Sequence, residues 1–574
     1  MQIFSIIFSV ITIACIICYH GLYISYRFKN IIKLVVYCSL LFYILKYFLL
    51  IFYSLHKKAF IRKSWFEFLV ICTLTLNFIL YYVLQIDINI LNLYNFEEYY
   101  ILFIQFYFLI IVMIELAKVS TSLGKINVSP PTLMMLSFFI LIALGALLLM
   151  MPRMTTNGIS FIDALFTSTS ASCVTGLNVL STSGAFTFKG QVVIMILIQL
   201  GGMSILSFAT FFTTFLSRSY VGLRYQYLVK DLLSTNKLSD SFMLLREIII
   251  ATAIIEAIGV MLLYMYWRTT GFFDSNGETF FYAIFHTISA FNNAGFALWD
   301  SSFMNMEISN SYFPQTIIMI LVFLGGIGFV TLRDFFNPQF IRERKKYKWK
   351  SLMPGSKIVL LTTFLIIILG TIIFFSVEFN NSLTEKTTLF DKMFASCFQV
   401  ISARTAGFNI VDINMISVPG MLLIMLVMFI GASPGSTGGG IKTTTFFVLI
   451  KSVFATIKGK KHIEFDKKNI SFDLVDKAYS IVIMSAIIIL LSTFTLSILE
   501  PEADLVNLLF ESISAFSTCG LSTNCQADFG NAAKFILILN MYIGRIGTLT
   551  VAFALSKRAK ESRHQYPDTY FMIG

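Results

Sequence analysis

Along this chain, apolar runs near 20 residues alternate with short polar segments, and each run is long enough as a helix to cross the roughly 30 Å hydrocarbon core of a bilayer. Four come first, at about 3–25, 32–55, 66–86 and 99–117, and predict four membrane spans. A polar joint from Lys118 to Thr132, holding Pro130-Pro131, closes this leading unit. Beyond it the pattern becomes a cycle of span, short amphipathic segment, glycine loop and span. The four passes are predicted at about 133–151, 161–172 and 190–215; 247–267, 279–291 and 314–332; 357–376, 388–402 and 415–450; and 478–498, 504–516 and 533–556. The expected fold is an all-α polytopic membrane protein: a four-span extension over 1–120, then helix–pore loop–helix repeats over 129–216, 245–334, 355–452 and 474–560 around a central pore.

The loops carry one theme four times: Thr169-Ser170-Ala171-Ser172-Cys173-Val174-Thr175-Gly176, Ile288-Ser289-Ala290-Phe291-Asn292-Asn293-Ala294-Gly295, Ile401-Ser402-Ala403-Arg404-Thr405-Ala406-Gly407 and Ile513-Ser514-Ala515-Phe516-Ser517-Thr518-Cys519-Gly520. Their glycines follow one another at intervals of 119, 112 and 113 residues. Bare backbone at membrane depth is tolerated only where protein or a water-filled cavity surrounds it. Glycine reaches the positive φ values that turn successive carbonyls toward a common line. The carbonyls of Val174, Thr175 and Gly176, of Asn293, Ala294 and Gly295, of Thr405, Ala406 and Gly407, and of Thr518, Cys519 and Gly520 are therefore expected to form an ion site. Partial charges of this kind suit a weakly hydrated monovalent cation better than Mg²⁺. Any one loop reads equally well as an ordinary outer turn; four in register do not.

A second glycine set lies in the later spans: Gly201-Gly202, Gly325-Gly326-Ile327-Gly328, Gly431-Ala432-Ser433-Pro434-Gly435 and Gly544-Arg545-Ile546-Gly547. These sets begin 25, 30, 24 and 24 residues after the loop glycines. Close helix packing explains one or two such glycines, but not four at nearly one phase. No helix continues through Ser433-Pro434-Gly435 and the three glycines 438–440.

Composition agrees: 57% of the 574 residues are hydrophobic and only 13% charged, with a mean hydropathy of +0.80. A soluble chain carries about a quarter charged residues, so a membrane solvent is implied. The net charge of +12 resides in short segments between apolar runs, which excludes a nucleic-acid groove and fits the positive-inside pattern. The clusters at 333–357 (Arg342, Arg344, Lys345, Lys346, Lys348, Lys350), 451–468 and 557–563 each follow a cycle's second span. That side is expected to be cytoplasmic, with the glycine loops opening outward. The same parity puts His56-Lys57-Lys58 inside and Glu97-Glu98 outside, while Arg27, Lys29 and Lys33 fall on the outer face against the rule. The start, Met1-Gln2-Ile3-Phe4, lacks a basic region and cleavage site and reads as a retained helix. The eight cysteines show no metal framework; Cys15 and Cys18 read as small apolar residues, and no Cys519–Cys525 bridge is expected.

Ionisable residues inside spans mark functional or pairing sites. Glu256 is expected to pair with Arg545 or Lys442, and Glu511 to orient its loop. Asn292, Asn293 and Gln399 are expected to bond loop backbone, His286 to be a satisfied helix residue, and Glu115 to approach the interface beside Lys118. A voltage sensor is excluded, because Lys46 is the only Lys or Arg between Lys33 and Lys57.

These loops, with Gly431-Ala-Ser-Pro-Gly-Ser-Thr-Gly-Gly-Gly440-Ile-Lys-Thr-Thr and Gly544-Arg545-Ile-Gly, resemble the Trk/Ktr/HKT superfamily of potassium transporters, closest to the bacterial Trk/Ktr membrane subunit, over about 129–559. The resemblance implies four pseudo-symmetric repeats around one pore, a homodimer among membrane lipid, and a cytosolic nucleotide-binding subunit that regulates the gate. It implies a bacterial cytoplasmic (inner) membrane location, potassium as the transported ion, and potassium preference from glycine in all four loops. It further implies that Gly431, Ser433, Pro434, Gly435, Gly438, Gly439 and Gly440 belong to an intramembrane gate loop, with Arg545, and Lys442 beside it, hindering cations below the filter. The leading spans precede this shared core and are expected to serve packing or assembly. Single glycines in place of Thr-Val-Gly-Tyr-Gly imply a short selective site.

The function expected is potassium uptake through a gated pore driven by membrane potential. No Walker or dinucleotide motif appears, so no organic cofactor is expected in this chain and nucleotide control falls to a partner. The competing class is a transporter coupled to H⁺ or Na⁺, which requires an essential intramembrane carboxylate such as Glu256. An enzyme is not expected, since five scattered histidines supply no catalytic cluster.

Overall fold

The computed structural model describes residues 2–54, 56–57, 68, 72, 130–203, 238–300, 302–304, 311–347, 351–384, 386–460 and 462–555. The predicted span at 66–86 apart from residues 68 and 72, the span at 99–117, Glu115, and the basic cluster 557–563 lie outside these residues, so they are not described. Among the described residues the regular structure is helical apart from one small hairpin, Ile463–Phe465 (β1) with Lys468–Ile470 (β2), and an isolated bridge between Thr155 and Phe186.

Helices α1 (Gln2–Gly21) and α2 (Tyr26–Tyr53) form an antiparallel pair. Their polar seam is a Thr12 to Ser39 hydroxyl bond of 2.8 Å between fully buried side chains, flanked by stacked Phe8 and Phe42. The turn between them docks on the first repeat, where Arg153 N donates to Gly21 O at 3.0 Å. This is the end from which the pore helix of that repeat enters, so the α1–α2 turn shares a face with the glycine loops, as the parity of spans requires.

Each repeat is a long helix, a short pore helix and a second, shorter helical segment. They are α3 (Pro130–Leu149), α4 (Phe161–Cys173) and α5 (Phe188–Gly202); α6 (Leu238–Thr270), α7 (Asn276–Phe291) and α8 (Tyr312–Gly326) continuing as α9 (Phe329–Phe336). After a cytoplasmic-type connector α10 (Pro338–Lys346) come α11 (Pro354–Glu378), α12 (Leu389–Ala403), α13 (Val418–Phe429) and α14 (Thr443–Ile457); then α15 (Phe472–Leu499), α16 (Leu505–Ser517), α17 (Asn531–Ile546) and α18 (Thr548–Leu555). Among the described residues four helices are long and apolar enough to span, within α3, α6, α11 and α15. Pore helices start at caps that satisfy otherwise free amides: Ser160 on Asp163, Ser275 on Glu278, and a reciprocal Thr388–Asp391 box.

The second helices depart from the continuous spans predicted at 314–332 and 533–556. Both are broken, with bends of 104° between α8 and α9 and 95° between α17 and α18. The breaks fall at Gly328 and Gly547, whose φ values of +85° and +93° no helix contains. The span predicted at 190–215 stops at Gly202, and 204–237 lies outside the described residues. Two basic segments meet on one face through Lys357 and Asp466, 2.8 Å apart. Arg344 and the amide of Met353 both donate to buried Asp334, at 3.0 and 2.8 Å.

Candidate functional site

The shared serine of each motif sits in the last turn of its pore helix and shapes the loop that leaves it. Its carbonyl accepts the amide of the residue before the glycine in all four loops: Thr175 on Ser170 at 2.8 Å, Ala294 on Ser289 at 2.7 Å, Ala406 on Ser402 at 2.8 Å and Cys519 on Ser514 at 3.0 Å. Its hydroxyl holds the far side of the turn. Ser170 and Ser514 accept from the amides of Gly176 and Gly520 at 3.0 and 3.2 Å. Ser289 and Ser402 donate to the carbonyls of Phe296 and Phe408 at 2.7 and 2.6 Å. The chain then turns through left-handed residues, Val174, Asn293 and Thr518, at φ of 58°, 59° and 51°. Loop three lacks this step because it is one residue shorter between serine and glycine.

All four loop glycines have positive φ: +92° at Gly176, +69° at Gly295, +74° at Gly407 and +90° at Gly520. They also pack in cyclic order. A Cβ on Gly176 would strike the carbonyl oxygen of Ala294, one on Gly295 that of Ala406, one on Gly407 that of Cys519, and one on Gly520 that of Thr175. The same ideal Cβ atoms would lie 3.1, 3.3, 3.0 and 3.0 Å from the next glycine's Cα. Four loops distributed over about 350 residues of sequence thus close into one ring of carbonyl-bearing backbone.

Above the ring lies a cavity of about 310 Å³ lined by Gly176, Gly295, Gly407 and Gly520 together with Asn178, Asp300 and Asn409. Asp300 accepts hydrogen bonds from the hydroxyls of Ser181 and Ser183, which hold its carboxyl below the usual carboxylate range. The cavity therefore holds one acidic side chain, Asp300, among its described lining residues.

In repeats two and four, the pore-helix side chain three residues before the motif serine reaches the strand leaving the ring. His286 Nε2 accepts the amide of Leu298 at 3.2 Å while its Nδ1 bonds Tyr282 O at 2.8 Å, which sets a neutral, Nδ1-protonated ring. Glu511 Oε1 accepts from the amide of Thr523 at 2.8 Å and from the hydroxyls of Ser522 and Thr523 at 2.7 and 3.1 Å. The glutamate orients its loop as expected, and the histidine proves equivalent to it. Leucine at either position should leave a buried amide unpaired, at a cost of about 1–3 kcal/mol. A lowered unfolding temperature of the detergent-solubilised protein, with glutamine at 511 less harmful than leucine, is the measurement that checks this.

Gln399, the third-repeat counterpart, differs from expectation: neither amide atom has a partner among the described residues. Asn292 bonds the backbone of Ile288 at 2.9 Å. Asn293 turns its amide oxygen to the hydroxyl of Thr405 at 2.9 Å, so its nitrogen donates to Ala290 and Val322 carbonyls at 3.0 and 3.1 Å. Glu256 also departs from expectation. It meets neither Arg545 nor Lys442, but Gln199 and Asn292, at 3.1 and 3.2 Å. All eight cysteines are free thiols.

Directly beneath the ring runs the non-helical stretch between Phe429 and Thr443. Its amides at Ser433 and Thr437 bond the carbonyls of Gly326 and Gly325 at 3.0 and 3.3 Å, and Gly435 O receives the amide of Phe329 at 3.0 Å. The helix break of repeat two is thus where this stretch attaches. Gly439 N donates to the hydroxyl of Thr518 at 3.0 Å, and a Cβ on Gly438 would lie 2.8 Å from Thr405 Cγ2. The stretch touches side chains of two ring residues. Pro434 O packs against Gly328 at the helix break, Gly431 folds back against Gly439 and Gly440, and Lys442 Nζ bonds Gly438 O at 2.8 Å. Arg545, from repeat four, donates to Thr437 O and to Gly201 O, the latter at 2.5 Å. One guanidinium therefore joins repeats one, three and four below the ring.

Sequence reasoning groups the span glycines but not their targets. Cβ atoms on Gly201, Gly325 and Gly544 would collide with the carbonyls of Ser172, Phe291 and Phe516, each two residues past the motif serine. Repeat three differs, because Gly431 packs on its own loop.

The four repeats of this all-α, multi-pass membrane protein close one ring of carbonyl-bearing backbone. The profile described as TrkH, cation transport protein, matches residues 100–564. The chain belongs to this family of transport proteins, and the resemblance read from its loops holds. It is 36% identical over 459 residues to the Ktr system potassium uptake protein B of Bacillus subtilis (strain 168), covering 78% of this chain and 98% of that one. The protein of the same description from Vibrio alginolyticus is 35% identical, covering 77% and 95%. The potassium/sodium uptake protein NtpJ of Enterococcus hirae is 32% identical, covering 78% and 98%. The crystal structure of the potassium transporter TrkH from Vibrio parahaemolyticus shares the fold, with a TM-score of 0.58 and 20% identity over 74% of this chain and 83% of that one. Membership and the apolar helices agree with the bacterial cytoplasmic membrane expected from sequence.

Proposed function

We propose that the chain takes up potassium across the cytoplasmic membrane through a selective pore. The observation that carries this reading is the cyclic closure of Gly176, Gly295, Gly407 and Gly520 on one another's neighbouring carbonyls. The carbonyls of residues 174–176, 293–295, 405–407 and 518–520 replace the water shell of a dehydrated K⁺. Potassium uptake is what the names of the relatives describe. Uptake follows the inward potential, since each unit charge gains about 2.3 kcal/mol per 100 mV without hydrolysis by this chain.

The stretch Gly431 to Gly440, with Lys442 and Arg545, acts as the gate. It occupies the path under the ring, carries positive charge there, and hangs on breakable hydrogen bonds. A gate needs such a bistable element. The joined basic segments around Arg342, Arg344, Lys345, Lys346 and Lys357 offer a docking face for a cytosolic nucleotide-binding subunit, and two copies of the chain form a dimer among lipid. In this reading the repeats run over 129–216, 245–334, 355–452 and 474–560, after a leading unit at 1–120.

Expression in a bacterium stripped of its own potassium uptake systems should restore growth at low potassium, with rubidium uptake well above sodium uptake. Normal membrane insertion without rescue, alone or with the partner of a related system, would refute the reading.

A further inference from the structure

Glu256 lies in the middle of the span Arg246–Thr270, yet no ion pair reaches it among the described residues. Its neighbours are two amides from other elements. Gln199 Nε2 donates to Oε2 at 3.1 Å, and Asn292 Nδ2 to Oε1 at 3.2 Å. Asn292 Nδ2 also reaches Gln199 Oε1 at 2.8 Å and Ile288 O at 2.9 Å. These three residues tie the first span of repeat two to the last turn of α5 and to the filter loop that holds Asn293, Ala294 and Gly295.

The hydrogen count of this cluster is short. One amide nitrogen has two hydrogens, but Asn292 Nδ2 faces three acceptors. The opposite atom, Asn292 Oδ1, is buried with no donor at all and lies against Gly202. A bare carboxylate at this depth adds an uncompensated charge to a group already rich in acceptors. A proton on the carboxyl removes that charge, and the neutral group still accepts from the Gln199 and Asn292 amides.

We propose that Glu256 is an uncharged positioning residue: as a carboxylic acid it braces Asn292 and Gln199, and so fixes filter loop two against repeat one. It then contributes to ion selection without carrying a coupling ion. This rests on the carbonyl ring being the potassium filter. It also separates the pore reading from the coupled-transporter reading, which needs the charge of Glu256.

The test measures rubidium and sodium uptake in cells depleted of their own systems, with the amount of membrane protein checked by blot. Glu256→Gln keeps the shape and the hydrogens without the charge, and should retain uptake and selectivity within about twofold. Glu256→Ala should raise the sodium-to-rubidium ratio by roughly fivefold or more, the scale set by losing a buried hydrogen-bond partner. Gln199→Met removes one donor with little change of shape and should shift the ratio the same way, less strongly. If Glu256→Ala fails to insert, Glu256→Gln and Gln199→Met decide. Loss of uptake in Glu256→Gln overturns the proposal, as does an unchanged ratio in Gln199→Met or in an inserted Glu256→Ala. Absence of potassium uptake by the unmutated protein in the same assay is a different result, and counts against the pore itself.

Discussion

Serine at position 407 should collapse the preference for potassium over sodium by at least tenfold while the protein still reaches the membrane. Two effects add. The backbone there has φ of +74°, where a side chain costs roughly 1–2 kcal/mol. The new Cβ would also meet the carbonyl oxygen of Cys519, whose neighbour Gly520 has its Cα 3.0 Å away. Neither group is a flexible side-chain tip, so the ring must widen or one loop must tilt. A ring fitted to a dehydrated ion loses discrimination once its oxygens spread, and about 1.4 kcal/mol of lost discrimination is tenfold. Gly176→Ser meets Ala294 in the same way and should behave alike. The strain is confined to one corner of a framework held by four serine carbonyls, so folding should persist. Parallel rubidium and sodium uptake, normalised to protein in the membrane, is the measurement. A serine variant with unaltered discrimination would show that these glycines do not surround the ion.

Legibility in the sequence divides along a physical line. The pore helices are legible to within a few residues, because an amphipathic segment ending in Ser-Ala is a local signal repeated four times. The glycines of the ring are legible because positive φ narrows the choice of residue to few alternatives. The helix breaks are not. Gly325-Gly326-Ile327-Gly328 sits in an apolar run that hydropathy reads as one span, and the bend depends on Gly435 O arriving from another repeat to take the amide of Phe329. Pairing is also misread where charge alone guides it. Charge points Glu256 toward Arg545 or Lys442, but those cations bind backbone carbonyls that the broken helices and the glycine stretch leave free. A carbonyl exposed by a helix break has no signature of its own in the sequence. The equivalence of His286 and Glu511 is hidden for a related reason. Their side chains share no chemistry beyond an acceptor atom, and only alignment on the motif serine shows the common place.

Removing Ser433 to Gly439 should raise rubidium flux about tenfold or more in the protein without a regulatory partner. The stretch lies beneath the ring and is fastened by hydrogen bonds rather than helix packing, among them Ser433 N to Gly326 O at 3.0 Å, Thr437 N to Gly325 O at 3.3 Å, Phe329 N to Gly435 O at 3.0 Å, Gly439 N to Thr518 at 3.0 Å, and Arg545 to Thr437 O. Glycines at 435 and 440, with φ of +66° and +71°, let it refold at low cost. Arg545 opposes cations independently, since a unit charge within a nanometre of the path costs a cation about 2 kcal/mol at an effective dielectric near 20. Arg545→Ala alone should therefore also raise flux, by less than the deletion. The two changes share a contact, because Thr437 is lost with the stretch, so the combined variant should show less than the sum of the two gains in free energy. Full additivity would mean that the guanidinium and the stretch act as separate barriers. A deletion variant present in the membrane at normal amounts that conducts no better than the parent would remove the gate from residues 431–440 altogether.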